Sequence, residues 1–465
     1  MSYPVIKFNT STGDDSLSSG AGPDDPINGS GASLNATTTV DLSADNPDLS
    51  TIATDGSAVL WVETTSGRQF SQITGVDDSL KTVTVNTAYS VTESTKNWAI
   101  GGKRSDIDDT GSRRVFQDAE ALWIIEIETD QTITSTITIT SNVSYADGRV
   151  MVRGSDPDNR PIISAGGNYR HFTGTSNNSA SYAFSHLQFQ NTDATVNDNQ
   201  IALTYRDGGV WLVYNCVFGD ETNRMYAGVS VAGGGSAVFE CIDCEFKYLQ
   251  RGPYGTTSTN DGRYARYINC YSHHNGSMGF ELVGKAICIN CISHSNDGHG
   301  IYLQGGSEGR LGSVTNCIID NNGQSAIYIE NDQSLYVIFG NIMSNNGEYG
   351  IRSSETLRYN ELCSYVSYNA FYNNASGNVN DTTSVQGAPS ITLTENPYID
   401  TGNANYNINS TIGGGATFRS QNQYQNIENS NTKMYPFRQW ITTDFGRGGG
   451  GTILPSYAKL TIKGN

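Results

Sequence analysis

Between about residue 185 and residue 375, apolar and polar positions alternate in short bursts, and the bursts are broken by Gly and Asn rather than by long polar loops. The bursts repeat. Residues 269–282 read NCYSHHNGSMGFEL, residues 290–303 read NCISHSNDGHGIYL, residues 316–329 read NCIIDNNGQSAIYI and residues 341–352 read NIMSNNGEYGIR. Earlier copies are NCVFGD at 215–220 and DCEFKY at 243–248, and a degenerate later copy is NAFYNNASG at 369–377. The Cys position recurs at 216, 244, 270, 291 and 317 and continues as Ile342 and Ala370, in steps of 28, 26, 21, 26, 25 and 28 residues. A unit of this length cannot bury its own apolar face, so the copies are expected to stack into a solenoid.

Within a copy the period is two, the signature of a strand. Strict alternation sets Ile287, Ile289 and Cys291 on one face and Cys288, Asn290 and Ile292 on the other, with Cys244 and Cys291 inward and Cys241 and Cys288 outward. After the Asn-Gly turn a second strand follows, with Ile301 and Leu303 inward. Two or three short strands per coil, separated by Gly/Asn corners and stacked ~4.8 Å apart, describe a parallel β-helix. Asn275, Asn296, Asn322, Asn346 and Asn374 recur at one corner, where stacked amides can bond along the axis. The repeated pattern N-C-x-x-x-x-N-x-x-x-G-[IF]-x-[LI] resembles the right-handed parallel β-helix proteins of the pectin-lyase-like superfamily. That resemblance implies the fold; the fold alone carries lyases, hydrolases, epimerases, adhesins and phage tailspikes.

The flanks read differently. Residues 1–110 lack the repeat and hold strand-like runs such as SAVLWVETT and KTVTVNTAYSV, which predict a small N-terminal β-domain of sandwich or barrel type. Residues 111–122 are expected to cap the first coil, since a bare solenoid end exposes strand edges and apolar core. The parallel β-helix is expected over 123–419, and residues 420–465 form a short C-terminal cap or subunit-contact segment. The N-terminal part, IKFNTSTGDDSLSSGAGP through WAIGGKR, and the ending NPYIDTGNANYNINSTIGGGATFR look like segments of β-helix proteins of bacterial viruses. That likeness implies a virion protein of tailspike or tail-fibre type. It also implies a homotrimer, attachment to other virion proteins through the N-terminal domain, and contact with host-surface polysaccharide.

Composition narrows the partners. With 51 Gly and 26 Tyr, the chain suits β-structure with many tight turns. The formal charge is −18 with no basic cluster, which argues against nucleic acid and favours a neutral or sparsely charged ligand. No apolar run approaches the ~20 residues of a membrane span. The opening MSYPVIKFNTSTGDD has neither the basic nor the apolar region of a secretory signal.

Candidate chemistry falls into three groups. The pairs Cys241/Cys244 and Cys288/Cys291 have zinc-like spacing, but lie two coils, ~10 Å, apart. No metal site, disulfide or cofactor is therefore expected. His273 and His294 stack on adjacent coils, with Asp297 and His299 close in sequence. They form either an acid–base cluster for glycan cleavage or ordinary corner residues. The DPH-type motif usual in epimerases of the superfamily is absent. The outward positions of the strand after the corner align Glu281, Tyr302, Tyr328 and Arg352. Sugar rings stack on aromatic faces while Arg and Glu bind hydroxyls or carboxylates, so this row suits a glycan; a surface row or a trimer contact would use the same residues. A hydrolase needs two carboxyls ~5–9 Å apart, and Glu281 with Glu308, or Glu330 with Asp332, are the candidate pairs. A lyase would want a basic residue beside acids, and Lys247 and Lys285 are the only lysines between 124 and 432.

Overall fold

The structure, a computed structural model, describes residues 4–13, 22, 26–55, 57–89, 91–108, 116, 123–139, 149–174, 181–193, 195–196, 200–206, 210–232, 238–255, 264–283, 285–304, 311–330, 335–354, 365–380, 390–403 and 405–420. Each coil of the solenoid lays one strand in each of three parallel sheets. In one coil Lys285–Ile289 joins the first sheet, Ile292–His294 the second and Ile301–Gln304 the third, and Leu311–Thr315 returns to the first. Among the described residues the sheets hold eleven, eleven and ten strands respectively, every neighbour parallel and, apart from Val5–Phe8, one coil away in sequence.

The corners explain why three-residue strands suffice. Asn290 has a φ of +54°, in the left-handed region that Asn tolerates better than most residues, and Asn215, Asp243, Asn269 and Asn316 adopt it at the same corner. One left-handed residue turns the chain from the first sheet into the second without a loop. It also resets the alternation, which corrects the facing expected from the sequence. Ala286 and Cys288 point inward while Ile287 and Ile289 are the half-buried outward residues. Past Asn290, Cys291 points inward again, so both members of each CxxC pair, Cys241/Cys244 and Cys288/Cys291, are core residues.

The seven described cysteines are unpaired buried thiols. Four of them hydrogen-bond the preceding coil: the Cys270 Sγ–H donates to Cys241 O at 3.4 Å and the Cys291 Sγ–H to Tyr267 O at 3.2 Å, with Cys244 and Cys317 repeating the contact. A small side chain with a weak donor fills this corner. The Asn ladder is continuous: Asn275 Nδ2 donates to Asn296 Oδ1 at 2.9 Å, Asn296 to Asn322 at 2.9 Å, Asn322 to Asn346 at 3.0 Å and Asn346 to Asn374 at 2.8 Å. The repeated glycine ahead of the third strand is a close approach. A Cβ on Gly279 would lie 2.0 Å from Ser293 Oγ, and one on Gly300 2.3 Å from Ile319 Cγ2. Ile301 and Leu303 are buried in the core that runs the length of the coils.

The two ends are covered by different means. Ile27–Asn35, Thr39–Asp41, Val59–Thr64, Gly67–Asp77, Thr82–Val85 and Thr92–Ile100 close into a six-stranded antiparallel barrel. Strand Val59–Thr64 is buried on both faces. Leu60 and Val62 fill the barrel, while Val59 and Trp61 join Phe116, Trp123 and the first coils in the solenoid core. Residues 1–110 are thus not one separate unit: Val5–Phe8 is a strand of the first sheet, paired with Ile124–Ile127. Of the expected cap at 111–122, Phe116 lies within the described residues, buried, with its carbonyl accepting from Tyr182 Oη at 2.8 Å. At the far end the coils stop at Ile391–Thr392, short of the expected 419. The chain then forms an antiparallel hairpin, Tyr398–Asp400 with Asn405–Ile408, and a short helix, Gly415–Arg419. Leu393, Tyr398, Tyr406, Ile408 and Phe418 pack on Ile318, Ile342 and Ala370, the outward row of the second sheet. The segment 420–465 lies outside the described residues apart from Ser420.

Candidate functional site

The third sheet carries the aligned row. Its register is Tyr254, Glu281, Tyr302, Tyr328 and Arg352, one per coil, all directed out of the core. The rings of Tyr302 and Tyr328 stack with centroids 5.5 Å apart, and His299 lies on Tyr328 at 4.4 Å and 4°. Both ends terminate in a guanidinium–carboxylate pair. At one end Arg251 is 2.6 Å from Glu281 Oε2 and lies over the Tyr254 ring at 5.1 Å. At the other, Arg352 Nη1 donates to Glu348 Oε2 at 2.7 Å and its Cζ sits 5.7 Å from the Tyr328 ring centre. Ser325 Oγ holds Glu348 at 2.9 Å.

The face is open at one end only. Glu281 and Tyr302 are 5% and 8% exposed, whereas Tyr328, Glu348 and Arg352 are half-exposed and Glu330 is exposed. Burial pushes the Glu281 carboxyl up to about 7, against the pull of Arg251 and with a further push from the charge of Glu330. Burial and a hydrogen bond to Glu330 raise the Tyr302 phenol, so it stays protonated. Burial lowers His299 to about 4 and leaves its imidazole neutral, with Nδ1 accepting from Ser325 N at 3.2 Å.

The second sheet carries the other histidines. His273 and His294 are in register and stack at 5.2 Å and 2°. His273 Nε2 is 3.0 Å from Glu245 Oε1, and the Tyr271 hydroxyl contacts His294 Nε2. Burial, then the neighbouring imidazoles, lowers His294 to about 3. One coil on, Asp320 occupies the same register and accepts from Ser344 Oγ at 2.7 Å, Asn345 Nδ2 at 2.9 Å and Tyr406 Oη at 3.3 Å. Burial raises its carboxyl above the ordinary value in spite of those bonds. The hairpin residue Tyr406 also lies 5.2 Å from the His294 ring.

The His/Asp cluster expected from sequence therefore divides. His273 and His294 share the second sheet, but the Asn296 corner carries Asp297 to an exposed position 3.9 Å from Arg224 and His299 round to the third sheet. Of the carboxylate pairs, Glu308 and Asp332 lie outside the described residues. Across the two pairs, it is the charge of Glu330 that reaches Glu281.

Against known proteins, the family described as "Right handed beta helix region" matches residues 202–362. The chain is a right-handed parallel β-helix. No curated protein matches the sequence. Among solved structures, this β-helix is similar to the A-module of Azotobacter vinelandii mannuronan C-5 epimerase AlgE6, with 10% identity, 58% of this chain and 89% of that one covered, and a TM-score of 0.37. It is also similar to ORF18 of Geobacillus virus E2, with 14% identity, coverages of 59% and 55%, and a TM-score of 0.37. Pectate lyase Pel9A gives 13% identity, coverages of 65% and 79%, and a TM-score of 0.40.

Sequence reasoning missed Arg251, Tyr254 and Glu348 on the third sheet, and Tyr271, Glu245 and Asp320 on the second. Tyr254 had a signal: Gly252-Pro253-Tyr254 is the Gly-x-outward unit one coil earlier, aligned with Gly279-Phe280-Glu281. Arg251 and Glu348 lie just before strands, at a corner position where the intervening coils carry Ser277, Gly298 and Gln324, so no recurring residue type points to them.

Proposed function

We propose that this β-helix is a bacteriophage virion protein of tailspike or tail-fibre type that holds host-surface polysaccharide along its third sheet. The observation that carries the proposal is the stacked row Glu281–Tyr302–Tyr328–Arg352, with its open end at Tyr328 and Arg352. Aromatic faces take the apolar faces of sugar rings, and the flanking guanidinium and carboxylates bond hydroxyls. The viral likeness of the flanking segments supports a place on the virion, with the barrel facing its attachment partners. A homotrimer fits one outward row of the first sheet, Tyr214, Ile242, Ile268, Ile289, Thr315 and Phe339, which is half-buried in the single chain and apolar but for Thr315. A glycan array tests the binding. Signal on bacterial-surface glycans that disappears with Tyr328→Ala is the expected result, and a blank array overturns the proposal. Sedimentation of the intact chain tests the trimer.

A second reading, a polysaccharide-degrading enzyme, has one observation in its favour. Burial, with a further push from the charge of Glu330, raises Glu281 to about 7, and a carboxyl that holds its proton near neutral pH suits a general acid. Release of reducing ends from host polysaccharide, abolished by Glu281→Gln, would establish it; release that survives the substitution would place catalysis elsewhere. A head fibre or other purely structural virion protein is the outcome if neither binding nor cleavage is found.

A further inference from the structure

The charges around the open end of the third-sheet row restrict what it can hold. Arg352 is the one described cation there, and it is committed: its Nη1 donates to Glu348 Oε2 at 2.7 Å while its guanidinium lies over the Tyr328 ring. Glu348 is committed in turn. Burial pushes its carboxyl up, but the hydrogen bonds from Arg352 and Ser325 outweigh that and hold it below the ordinary range, so it is ionised at neutral pH. Glu348 keeps Arg352 protonated as well. His299, stacked under Tyr328, is lowered to about 4 by burial and adds no positive charge. Glu330 adds a second, exposed carboxylate on the same side. At the buried end the other guanidinium, Arg251, is held against Glu281.

One guanidinium therefore faces two carboxylates at the place where a ligand has access. A uronate, sulfate or phosphate brought over Tyr328 would meet net negative charge, with the neighbouring cation already neutralised. A neutral, hydroxyl-rich sugar meets the opposite conditions. It offers an apolar ring face to Tyr328 and hydroxyl hydrogens to the Glu330 and Glu348 carboxylates. We infer that the row takes neutral glycan, and that Glu348 sets this specificity by occupying Arg352. The inference rests on the glycan-binding reading above and names its substrate class. Glu348 acts through Arg352; in that sense it is a specificity-determining residue that need not touch sugar itself.

The experiment is a glycan array carrying neutral and acidic oligosaccharides, probed with the full chain and with Glu348→Gln. Circular dichroism first establishes that the variant folds. The wild-type chain is expected on neutral glycans, with signal that holds between ~0.05 M and ~0.5 M salt because no ion pair to the ligand is being screened. Glu348→Gln can keep the hydrogen bonds of Ser325 and Arg352 to that oxygen but removes the charge that neutralises the guanidinium, and is expected to raise binding to uronate-bearing glycans by roughly tenfold in a salt-sensitive manner. Wild-type signal confined to acidic glycans overturns the inference and leaves glycan binding standing. A neutral preference unchanged by Glu348→Gln removes Glu348 from that role. An array blank for both classes overturns the glycan-binding reading itself, and the inference with it.

Discussion

The Asn row and the Tyr row run along the same coils, one residue per coil, and they behave in opposite ways. Asn275, Asn296, Asn322, Asn346 and Asn374 each present a donor and an acceptor, so every copy satisfies the one before it and the row closes on itself. It is buried from Asn275 to Asn346 and has nothing left to offer. The row Glu281, Tyr302, Tyr328, Arg352 combines three different kinds of side chain. Its rings stack, but its charged ends need partners from the corners, Arg251 and Glu348, and its last two members stay half in water. A repeat that keeps the same residue builds axis; a repeat that varies the residue at one outward position builds a surface that can discriminate.

The sharpest way to break the comparison is to remove one rung from the closed row. Asn322→Ala removes the acceptor that both the backbone N–H and the side-chain amide of Asn296 use in a buried corner, takes away one of the two donors to Asn346 Oδ1, and also deletes the bonds Asn322 makes to Ser293 O and Asp320 O. Stranded buried polar groups cost ~1–3 kcal/mol each, so a loss of about 4 kcal/mol is expected from the denaturant midpoint. A loss below about 1 kcal/mol would mean that the amide row is incidental to stability.

The second effect in size lies at the buried end of the varied row. The Glu281 carboxyl is near 7 in the fold and near its ordinary 4.5 when unfolded. The folded chain thus binds more protons than the unfolded chain between those values, and stability falls as pH rises from about 4.5 through 7. The gap corresponds to on the order of 3 kcal/mol at alkaline pH. Glu281→Gln should remove that fall, visible as converging wild-type and variant midpoints at pH 5 and diverging ones at pH 8. Parallel midpoints across that range would show that Arg251 compensates the buried charge in full.

How far the sequence carries the fold is itself a matter of these two rows. The coil length, the amide corner and the order Glu281, Tyr302, Tyr328, Arg352 are readable because each recurs at nearly constant spacing within a coil. The facing of Cys241 and Cys288 is not, because the left-handed residue at Asp243 or Asn290 resets a two-residue period that sequence reasoning extends through it. The separation of His299 from His294 is hidden for the same reason at Ser295, also left-handed. Val5–Phe8 pairs with Ile124–Ile127 across the whole barrel, and Tyr398 and Tyr406 fold back on Ser344 and Asp320. Such contacts bring distant parts of the chain together without any repeat to announce them.

A thiol tests that corner at intermediate size. Cys291→Ala deletes a buried sulfur and its bond to Tyr267 O, and should cost ~1–2 kcal/mol, since the cavity is small and the donor weak. In a Cys363→Ser background the seven described thiols should also resist thiol reagents until the chain unfolds; fast labelling there would contradict the inward facing of both cysteines in each CxxC pair.

The smallest stability effect is expected where the functional one is largest. Tyr328 packs on His299 and Tyr302 and has the Arg352 guanidinium over its ring, yet it stays half-exposed, and Arg352 retains Glu348 without it. Tyr328→Ala should therefore move the denaturant midpoint by less than about 1 kcal/mol while lowering glycan affinity by roughly tenfold or more, the stacking energy of one ring. Asn322→Ala at the neighbouring rung should do the reverse to whatever fraction remains folded, weakening the fold while leaving the affinity of the folded chain unchanged. If Tyr328→Ala instead destabilises as much as Asn322→Ala, the aromatic row is a second structural spine, and the half-open surface at Tyr328 and Arg352 is the flank of a subunit contact.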